Sequence, residues 1–447
     1  MTYFVALDIG ATYIKSGRVD AKTFELSAIH RVRFPSFDVN ADDDRGSYRT
    51  VEFAEILKSV VETLSLQITN EGKCLGILPS NQMHGLVLFS PAGNVVTPFF
   101  SWQDTRTLQA RDGEKSPFEA LREKTGPFSW NHETGEFLRP GFPIAQLFGF
   151  SRKGLLPKGS VPMDLGNAVI TALSNAGQRC LDETNAAAMG CLQIATRTWH
   201  QPLISELGLS HLDWPLIVGE GTPVGTWSNR KIPLYPAIGD QQASLLGAGL
   251  SRPDQISVNI ATGSQVSRIL SQPAMRETQT RPYFRDKYLE TITHIPAGRA
   301  LNAWVRLFSE LNPQVDFDQA WSSASALAEA APDNPLAMNL ALFPSAFGDR
   351  GFLHNIREED LSVGSILRSA LQSIARDHRT AWNKMNSTVP EGGATSYHEL
   401  LGSGGVLKKS KILANALQKE FTLPLRESPH FEDALMGHVE RAKQLCS

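Results

Sequence analysis

Three short glycine- and hydroxyl-bearing turns and two carboxylates carry the chemistry that can be read in this 447-residue chain. The first turn lies in Val5-Ala6-Leu7-Asp8-Ile9-Gly10-Ala11-Thr12-Tyr13-Ile14-Lys15-Ser16, an apolar alternation with a carboxylate, a glycine, a hydroxyl and a lysine at its centre. Val5, Leu7 and Ile9 alternate as in a half-buried strand, Gly10 permits a tight bend, and Ile14, Gly17 and Val19 mark a returning strand. Such a hairpin could aim Thr12 and backbone N–H groups at a phosphate while Asp8 holds a metal through water. A surface turn with incidental polar residues is the plainer alternative.

A second carboxylate, Asp240, follows Gly239 and opens a helix rich in small residues, Ala243, Gly247, Ala248 and Gly249. It reads as an N-cap or as a weak base. A carboxylate at a helix N-terminus stays ionised, and a loose phosphoryl-transfer transition state asks mainly for an oriented hydroxyl. The small residues suit either the close approach of a ligand or tight helix packing.

Two further turns complete the set. Gln255 to Val266 echoes the opening hairpin: alternating apolar residues, the turn Ala261-Thr262-Gly263-Ser264, then more alternation, with Asn259 where Asp8 stands. That echo suits a duplicated architecture in which one domain supplies metal and phosphate contacts and the other phosphate contacts alone. Gly402-Ser403-Gly404-Gly405 can expose backbone to a nucleotide, although it lacks the GxGxxG spacing of a dinucleotide site. Lys408, Lys409 and Lys411 beside it read as a solvated cluster.

Gln82, His84, Gln103, Asp104 and Asn185 offer the many donors and acceptors that a polyol requires, beside Trp102, whose face could pack on sugar C–H groups. Taken singly, His84 reads as a turn or core histidine, Trp102 as core, and Asp104 with Arg106 as a surface ion pair.

Elements that would position these residues are closely connected, with no low-complexity tract. An exposed acidic loop is expected over 35–50, and Phe53, Ile56, Leu57, Val60, Val61 and Leu64 have helical spacing. The uncharged run Leu75 to Gln103 contains too many Pro, Gly and polar residues for a spanning helix and is expected as strands and turns. Residues 112–160, rich in Gly, Pro and turn formers, are expected as an insertion over a cleft. Asp360 is the expected N-cap of a helix through Val363, Ile366, Leu367, Ala370, Leu371 and Ile374.

A chain of this length calls for two domains or three. Its net charge of −3 and isoelectric point of about 6.4 give no basic field, which argues against a nucleic-acid or anionic-membrane binder. Cys74, Cys180, Cys191 and Cys446 show no C-x-x-C pairing, so a reducing cytoplasm is expected. Asp8 and Lys15 interrupt any export-signal core.

The three turns and Asp240, in this order over nearly the whole chain, resemble the FGGY carbohydrate kinases, a family within the actin, hexokinase and heat-shock ATPase superfamily. The resemblance implies an α/β, two-domain actin/hexokinase-like (ribonuclease H-like) fold with a cleft between the domains, one over 1–247 and one over 248–447. It implies that Gly10, Thr12 and Lys15 belong to the first phosphate motif, Thr262, Gly263 and Ser264 to the second, and Gly402, Gly404 and Gly405 to the adenosine motif. By the same comparison Asp240 is the catalytic base, Asp8 holds Mg²⁺, and ATP is the phosphoryl donor.

Asn81-Gln82-Met83-His84-Gly85, Ser101-Trp102-Gln103-Asp104-Thr105-Arg106, Arg139-Pro140-Gly141-Phe142, Asn185-Ala186-Ala187 with Trp199, and Phe347-Gly348-Asp349-Arg350 look most like the sedoheptulose-phosphorylating branch. That likeness makes Gln82, Met83, His84, Trp102, Gln103, Asp104 and Asn185 the expected sugar contacts. The implied reaction is phosphorylation of a ketose at its terminal primary hydroxyl, sedoheptulose to its 7-phosphate. A kinase for a xylulose- or ribulose-type sugar and a non-catalytic sensor on the same fold stay open, the latter because the second phosphate motif usually reads Gly-Thr-Ser. The implied partners are the sugar and ATP, with neither nucleic acid nor membrane, and a homodimer is left open.

Overall fold

The computed structural model describes residues 2–39, 47–69, 72–110, 113–126, 130–174, 178–227, 230–274, 277–310, 312, 314–333, 336–387 and 396–447. The chain forms two compact units. Unit 1 comprises Met1–Gly247, Ser271–Tyr288 and Glu432–Ser447, and unit 2 comprises Ala248–Leu270 and Leu289–Phe431.

Unit 1 is built on the hairpin β1 (Thr2–Ile9) and β2 (Tyr13–Asp20), extended by β3 (Leu26–Arg33) and backed by α1 (Phe53–Gln67). β4 (Lys73–Asn81) lies parallel to β1, with Asp8 opposite Ser80 and Ile9 opposite Asn81. Residues 113–126 and 130–160, within the stretch expected as an insertion over a cleft, contain helices as well as turns. They hold α2 (Pro117–Thr125), α3 (Trp130–Thr134) and α4 (Pro143–Arg152), whose Leu121, Trp130, Ile144 and Leu147 join the unit 1 core. A capping box from Ser116 and Glu119 fixes the start of α2, and Pro117 and Pro143 take the first turns of α2 and α4, where no N–H is needed.

α5 (Leu165–Leu173) and α6 (Glu183–Ala188) follow, each capped by an aspartate, Asp164 and Asp182. The sheet is completed by β5 (Gly225–Trp227), β6 (Ile232–Leu234) and the short β7 (Ile238–Gly239), giving the order β5-β6-β4-β1-β2-β3 with β7 also paired to β4. α7 (Asp240–Gly247) starts directly from β7.

Unit 2 repeats the opening topology. β8 (Gln255–Ile260) and β9 (Ser264–Leu270) form an antiparallel hairpin. The chain next contributes β10 (Gln279–Tyr283) to unit 1 and returns through β11 (Lys287–Ile295). Three helices follow, α8 (Gly298–Ser309), α9 (Phe317–Ala330) and α10 (Val363–Asn386). The N-cap of α10 is Ser362, whose hydroxyl accepts from Ser365 N at 3.0 Å, while Asp360 closes a preceding 3₁₀ turn. β12 (Glu399–Ser403) runs parallel to β8, with Asn259 opposite Ser403; α11 (Gly405–Lys408), α12 (Lys411–Phe421) and β13 (Leu425–Glu427) finish the unit. Its core unites Ile256, Val258 and Ile260 with apolar residues of α8 and α10.

The last helix, α13 (Asp433–Cys446), belongs to unit 1. Phe4 and Ala6 of β1 pack with its Leu435, Val439 and Ala442, while Tyr3, Val5, Leu7 and Ile9 face the main core. β1 is therefore buried on both faces rather than half-buried, as the central strand of a covered sheet is. The small residues near Asp240 serve helix packing: a Cβ on Gly247 would lie 1.9 Å from the Asp433 carbonyl, and one on Gly437 would lie 2.1 Å from that of Ala243.

Of the acidic loop expected over 35–50, residues 40–46 lie outside the described residues. No helix among the described residues is long and apolar enough to cross a membrane.

Candidate active site

The carboxyl ends of the parallel strands β1, β4 and β7 bring Asp8, Ser80 and the Gly239-Asp240 junction to one edge of the unit 1 sheet, where ligands of open α/β sheets bind. Asp8 is buried. Ser80 Oγ donates to its Oδ1 at 2.9 Å, and Lys15, its register partner on β2, stands 3.8 Å from Oδ2. Lys15 also pairs with Glu432 at 3.0 Å. Burial pushes the Asp8 carboxyl up, opposed by Lys15. The turn between β1 and β2 closes through Gly10 N–H to the Tyr13 carbonyl at 3.0 Å, leaving Thr12 exposed at its tip.

Asp240 opens α7 with a carboxyl pushed up to about 7 by burial and then by the charge of Asp8. Its backbone is held from behind, because Gly239 N donates to Thr184 Oγ1 at 2.7 Å and Thr184 in turn donates to Asp182 Oδ1 at 2.7 Å. Burial places the Asp182 carboxyl at about 7 as well.

Beside Asp240 the interior is polar and incompletely paired. Gln82 is 2% exposed, yet neither atom of its side-chain amide has a hydrogen-bond partner, and Gln242 Oε1 and Asn185 Oδ1 are also buried without one. Buried amides in a folded core are nearly always satisfied, so these atoms are set apart by their open hydrogen-bonding capacity. Asn185 spends its Nδ2 on Asn81 Oδ1 and the Ala237 carbonyl, tying α6 to the ends of β4 and β7.

Met83 and His84 lead into a charged cluster absent from any sequence motif. His84 adopts a left-handed backbone (φ 63°) and stacks on Phe142 with ring centroids 4.3 Å apart. Its Nε2 lies 3.6 Å from Glu136 Oε1. Glu136 is fully buried against Arg281 Nε at 2.6 Å and Gln279 Nε2 at 2.7 Å; Arg281 also donates to Gln241, next to Asp240, and reaches Met83 Sδ at 3.8 Å. Burial alone would raise the Glu136 carboxyl, but Arg281 and His84 beside it hold it at about 2. Burial lowers the His84 imidazole, opposed by that carboxylate.

Trp102, Gln103 and Asp104 occupy a turn pressed against Gly141, where a Cβ would meet the Trp102 carbonyl at 1.9 Å. Trp102 is 41% exposed. Asp104 is committed to structure: its carboxylate accepts from Arg106 Nη2 at 2.6 Å, Arg106 Nε at 2.8 Å and Arg49 N at 2.8 Å. Phe347 to Arg350 form a largely exposed turn of unit 2.

In unit 2, Thr262 and Gly263 are exposed at the tip of the β8–β9 hairpin, with the carbonyls of Ala261 and Thr262 accepting from Gly298 N and Arg299 N at the start of α8. Ser264 turns inward and donates to the Ile295 carbonyl at 3.0 Å. Gly402 is buried, Gly405 is exposed with open space where a Cβ would stand, and Gly404 holds φ 95° with that position only 2.3 Å from the Ile260 carbonyl. The glycine at 404 is what lets the β12–α11 turn lie on β8. Lys408 sits 4.9 Å over the Phe431 ring.

Asp8 is a buried carboxylate of the kind that could hold a magnesium ion in company with phosphates and water. Among the described residues no cluster of three or more His, Cys, Asp or Glu side chains forms an all-protein cage. Glu136, Arg281, Gln279, Ser80 and Glu432 had no motif to betray them; Arg139-Pro140-Gly141-Phe142 was the one signal near Glu136.

Residues 3–247 match the model of the FGGY family of carbohydrate kinases, N-terminal domain. The human sedoheptulokinase is 22% identical, with 94% of this chain and 93% of that protein covered. A xylulose kinase of Staphylococcus xylosus is 21% identical over 68% of this chain and 64% of its own. Among solved structures, a ligand-bound xylulose kinase from Lactobacillus acidophilus superposes with a TM-score of 0.83 at 18% identity, with 100% of this chain and 89% of that one covered. The chain belongs to the FGGY family of carbohydrate kinases. It is a sugar kinase with the two-domain actin/hexokinase-like α/β fold, and kinases of this family take their phosphoryl group from ATP.

Proposed function

We propose that the chain transfers the γ-phosphoryl group of ATP to the terminal primary hydroxyl of a ketose, and that sedoheptulose is that ketose. The observation that carries the reading is the Asp240 carboxyl at the start of α7 together with the unpartnered buried amide of Gln82 and the unpartnered Oε1 of Gln242. Asp240 accepts the hydroxyl proton as that oxygen attacks the γ-phosphorus; the bond from phosphorus to the bridging oxygen breaks and ADP leaves. Gln82, His84 and Asn185 orient the polyol, Trp102 covers it, and Met83 lines it. On unit 1, Gly10, Thr12 and Lys15 of the first hairpin are assigned to phosphate; on unit 2, Thr262 and Gly263 are assigned to phosphate and Gly402, Gly404 and Gly405 to adenosine. Ser264, turned onto Ile295, supports its loop. Asp8 holds Mg²⁺, which when bound neutralises charge on the phosphates.

Similarity to sedoheptulokinase along 94% of the chain supports the seven-carbon sugar; the likeness to xylulose kinases sets the competing one. A coupled ADP-release assay over sedoheptulose, xylulose, ribulose and linear polyols tests the assignment. The highest kcat/KM is expected for sedoheptulose. A higher value for a five-carbon sugar transfers the assignment to it, and no turnover with tight ATP binding replaces the enzyme with a sensor.

The same assay across pH reads Asp240. Because its carboxyl is raised to about 7, the proton-accepting form is lost as pH falls. kcat/KM for the sugar should therefore drop about tenfold per unit on the acid side of a midpoint at or just below that value. A flat profile down to about pH 5, the range of an ordinary carboxylate, contradicts the assignment.

A further inference from the structure

We propose that His438, acting through Ser80, is a positioning residue for Asp8, with Arg441 fixing the direction of the hydrogen bonds; this rests on the reading of Asp8 as the metal-side carboxylate. All four residues are buried within unit 1, and two of them come from α13, some 360 residues beyond Ser80.

The direction follows from what each group can do. A guanidinium only donates. Arg441 Nη1 donates to the Pro79 carbonyl at 3.1 Å and faces His438 Nδ1 at 3.3 Å, while Nη2 donates to the carbonyls of Glu220 at 2.8 Å and Pro236 at 3.2 Å. Nδ1 of His438 is therefore an acceptor. A second cation beside Arg441 in the core would be costly, so the one imidazole proton sits on Nε2. That nitrogen lies 3.1 Å from Ser80 Oγ, and the imidazole also contacts the Leu7 backbone. With its lone-pair side taken by the imidazole N–H, the Ser80 hydroxyl turns its own hydrogen to Asp8 Oδ1, 2.9 Å away. The chain runs one way, from cation to imidazole to hydroxyl to carboxylate. It pins Oδ1 and leaves Oδ2 as the oxygen on the Lys15 side.

Unit 2 offers an internal contrast. Asn259 and Ser403 are register partners as Asp8 and Ser80 are, but there the amide donates, Asn259 Nδ2 to Ser403 Oγ at 2.8 Å. The serine therefore sends its hydrogen to this neighbour only in the unit that carries the carboxylate. The same C-terminal segment also brings Glu432 onto Lys15, so it supports both members of the Asp8–Lys15 pair.

Titration calorimetry of the full chain with ADP, with and without Mg²⁺, tests the proposal without any turnover. Wild type should bind ADP more tightly when Mg²⁺ is present. Ser80→Ala and His438→Leu should each cut that enhancement by about tenfold, the scale of outer-shell effects on metal affinity, while metal-free ADP affinity stays within about twofold. His438→Gln, whose amide can donate in place of Nε2, should restore most of it. Nitrogen-15 spectra should show His438 as the neutral Nε2–H tautomer. Retention of the enhancement in Ser80→Ala, an equal loss with and without metal, or an Nδ1–H tautomer overturns the proposal. Absence of any Mg²⁺ enhancement in wild type overturns the metal reading of Asp8 and the proposal with it. If His438→Leu fails to fold, Ser80→Ala and the tautomer decide.

Discussion

Asp240→Asn should lower kcat for phosphoryl transfer by about 10²- to 10⁴-fold, the span contributed by a positioned general base, while dissociation constants for sugar and ATP move by less than about threefold. The substitution keeps the shape of the side chain and removes only its capacity to take a proton. It also discharges a group whose proton affinity is raised by desolvation and by Asp8, so the protein should be no less stable than wild type. Loss of rate without loss of stability separates chemistry from folding, because a misfolded variant would lose both. In free energy the expected loss is about 3–5 kcal/mol of transition-state stabilisation. A fall in kcat of less than about tenfold, measured by ADP release at saturating substrates, would remove Asp240 from the reaction.

The second large effect concerns Glu136. Its carboxylate is fully buried and neutralises Arg281, itself buried, while facing His84 and accepting from Gln279. Breaking a buried pair from one side leaves the other charge uncompensated, at a cost of about 3–5 kcal/mol. Glu136→Gln should lower unfolding stability by that amount in a denaturant titration and raise the KM for sugar, since His84 loses the group facing its Nε2. Glu123→Gln serves as the control. Its pair with Lys115 is exposed on both sides, so less than about 1 kcal/mol is expected. Adding Arg281→Met to Glu136→Gln should recover part of the loss, because no charge is then left stranded. Equal stability of Glu136→Gln and Glu123→Gln would refute the account of this cluster.

The sequence carried the local parts of this architecture well. The hairpin around Gly10, the strand at Leu75 and beyond, and the helices through Ile56 and Ile374 follow from apolar periodicity and turn residues alone. So did the echo, which extends to register, Asp8 opposite Ser80 and Asn259 opposite Ser403. What sequence could not supply was long-range. β1 reads as half-buried because its second apolar face, Phe4 and Ala6, meets a helix more than 400 residues later. Residues 112–160 read as an insertion rich in turn formers, yet Gly149 sits inside α4, and Pro117 and Pro143 are helix starts. Glu136 and Arg281 are a single glutamate and arginine 145 positions apart with no motif around either. Asp104 reads as a sugar contact from its neighbours, and sequence did not show that its oxygens accept from Arg106 and from the distant Arg49 backbone. Asp360 looked like a cap because acids favour helix starts, yet Ser362, two residues on, has the hydroxyl in reach of Ser365 N.

Phosphorus-31 spectroscopy of the wild-type protein with ATP, Mg²⁺ and sedoheptulose reports which bond is made. Loss of the γ-phosphate signal should be matched by one new phosphomonoester, coupled to the protons of the terminal CH₂ group. Release of inorganic phosphate alone, or an ester on a secondary hydroxyl, would contradict it.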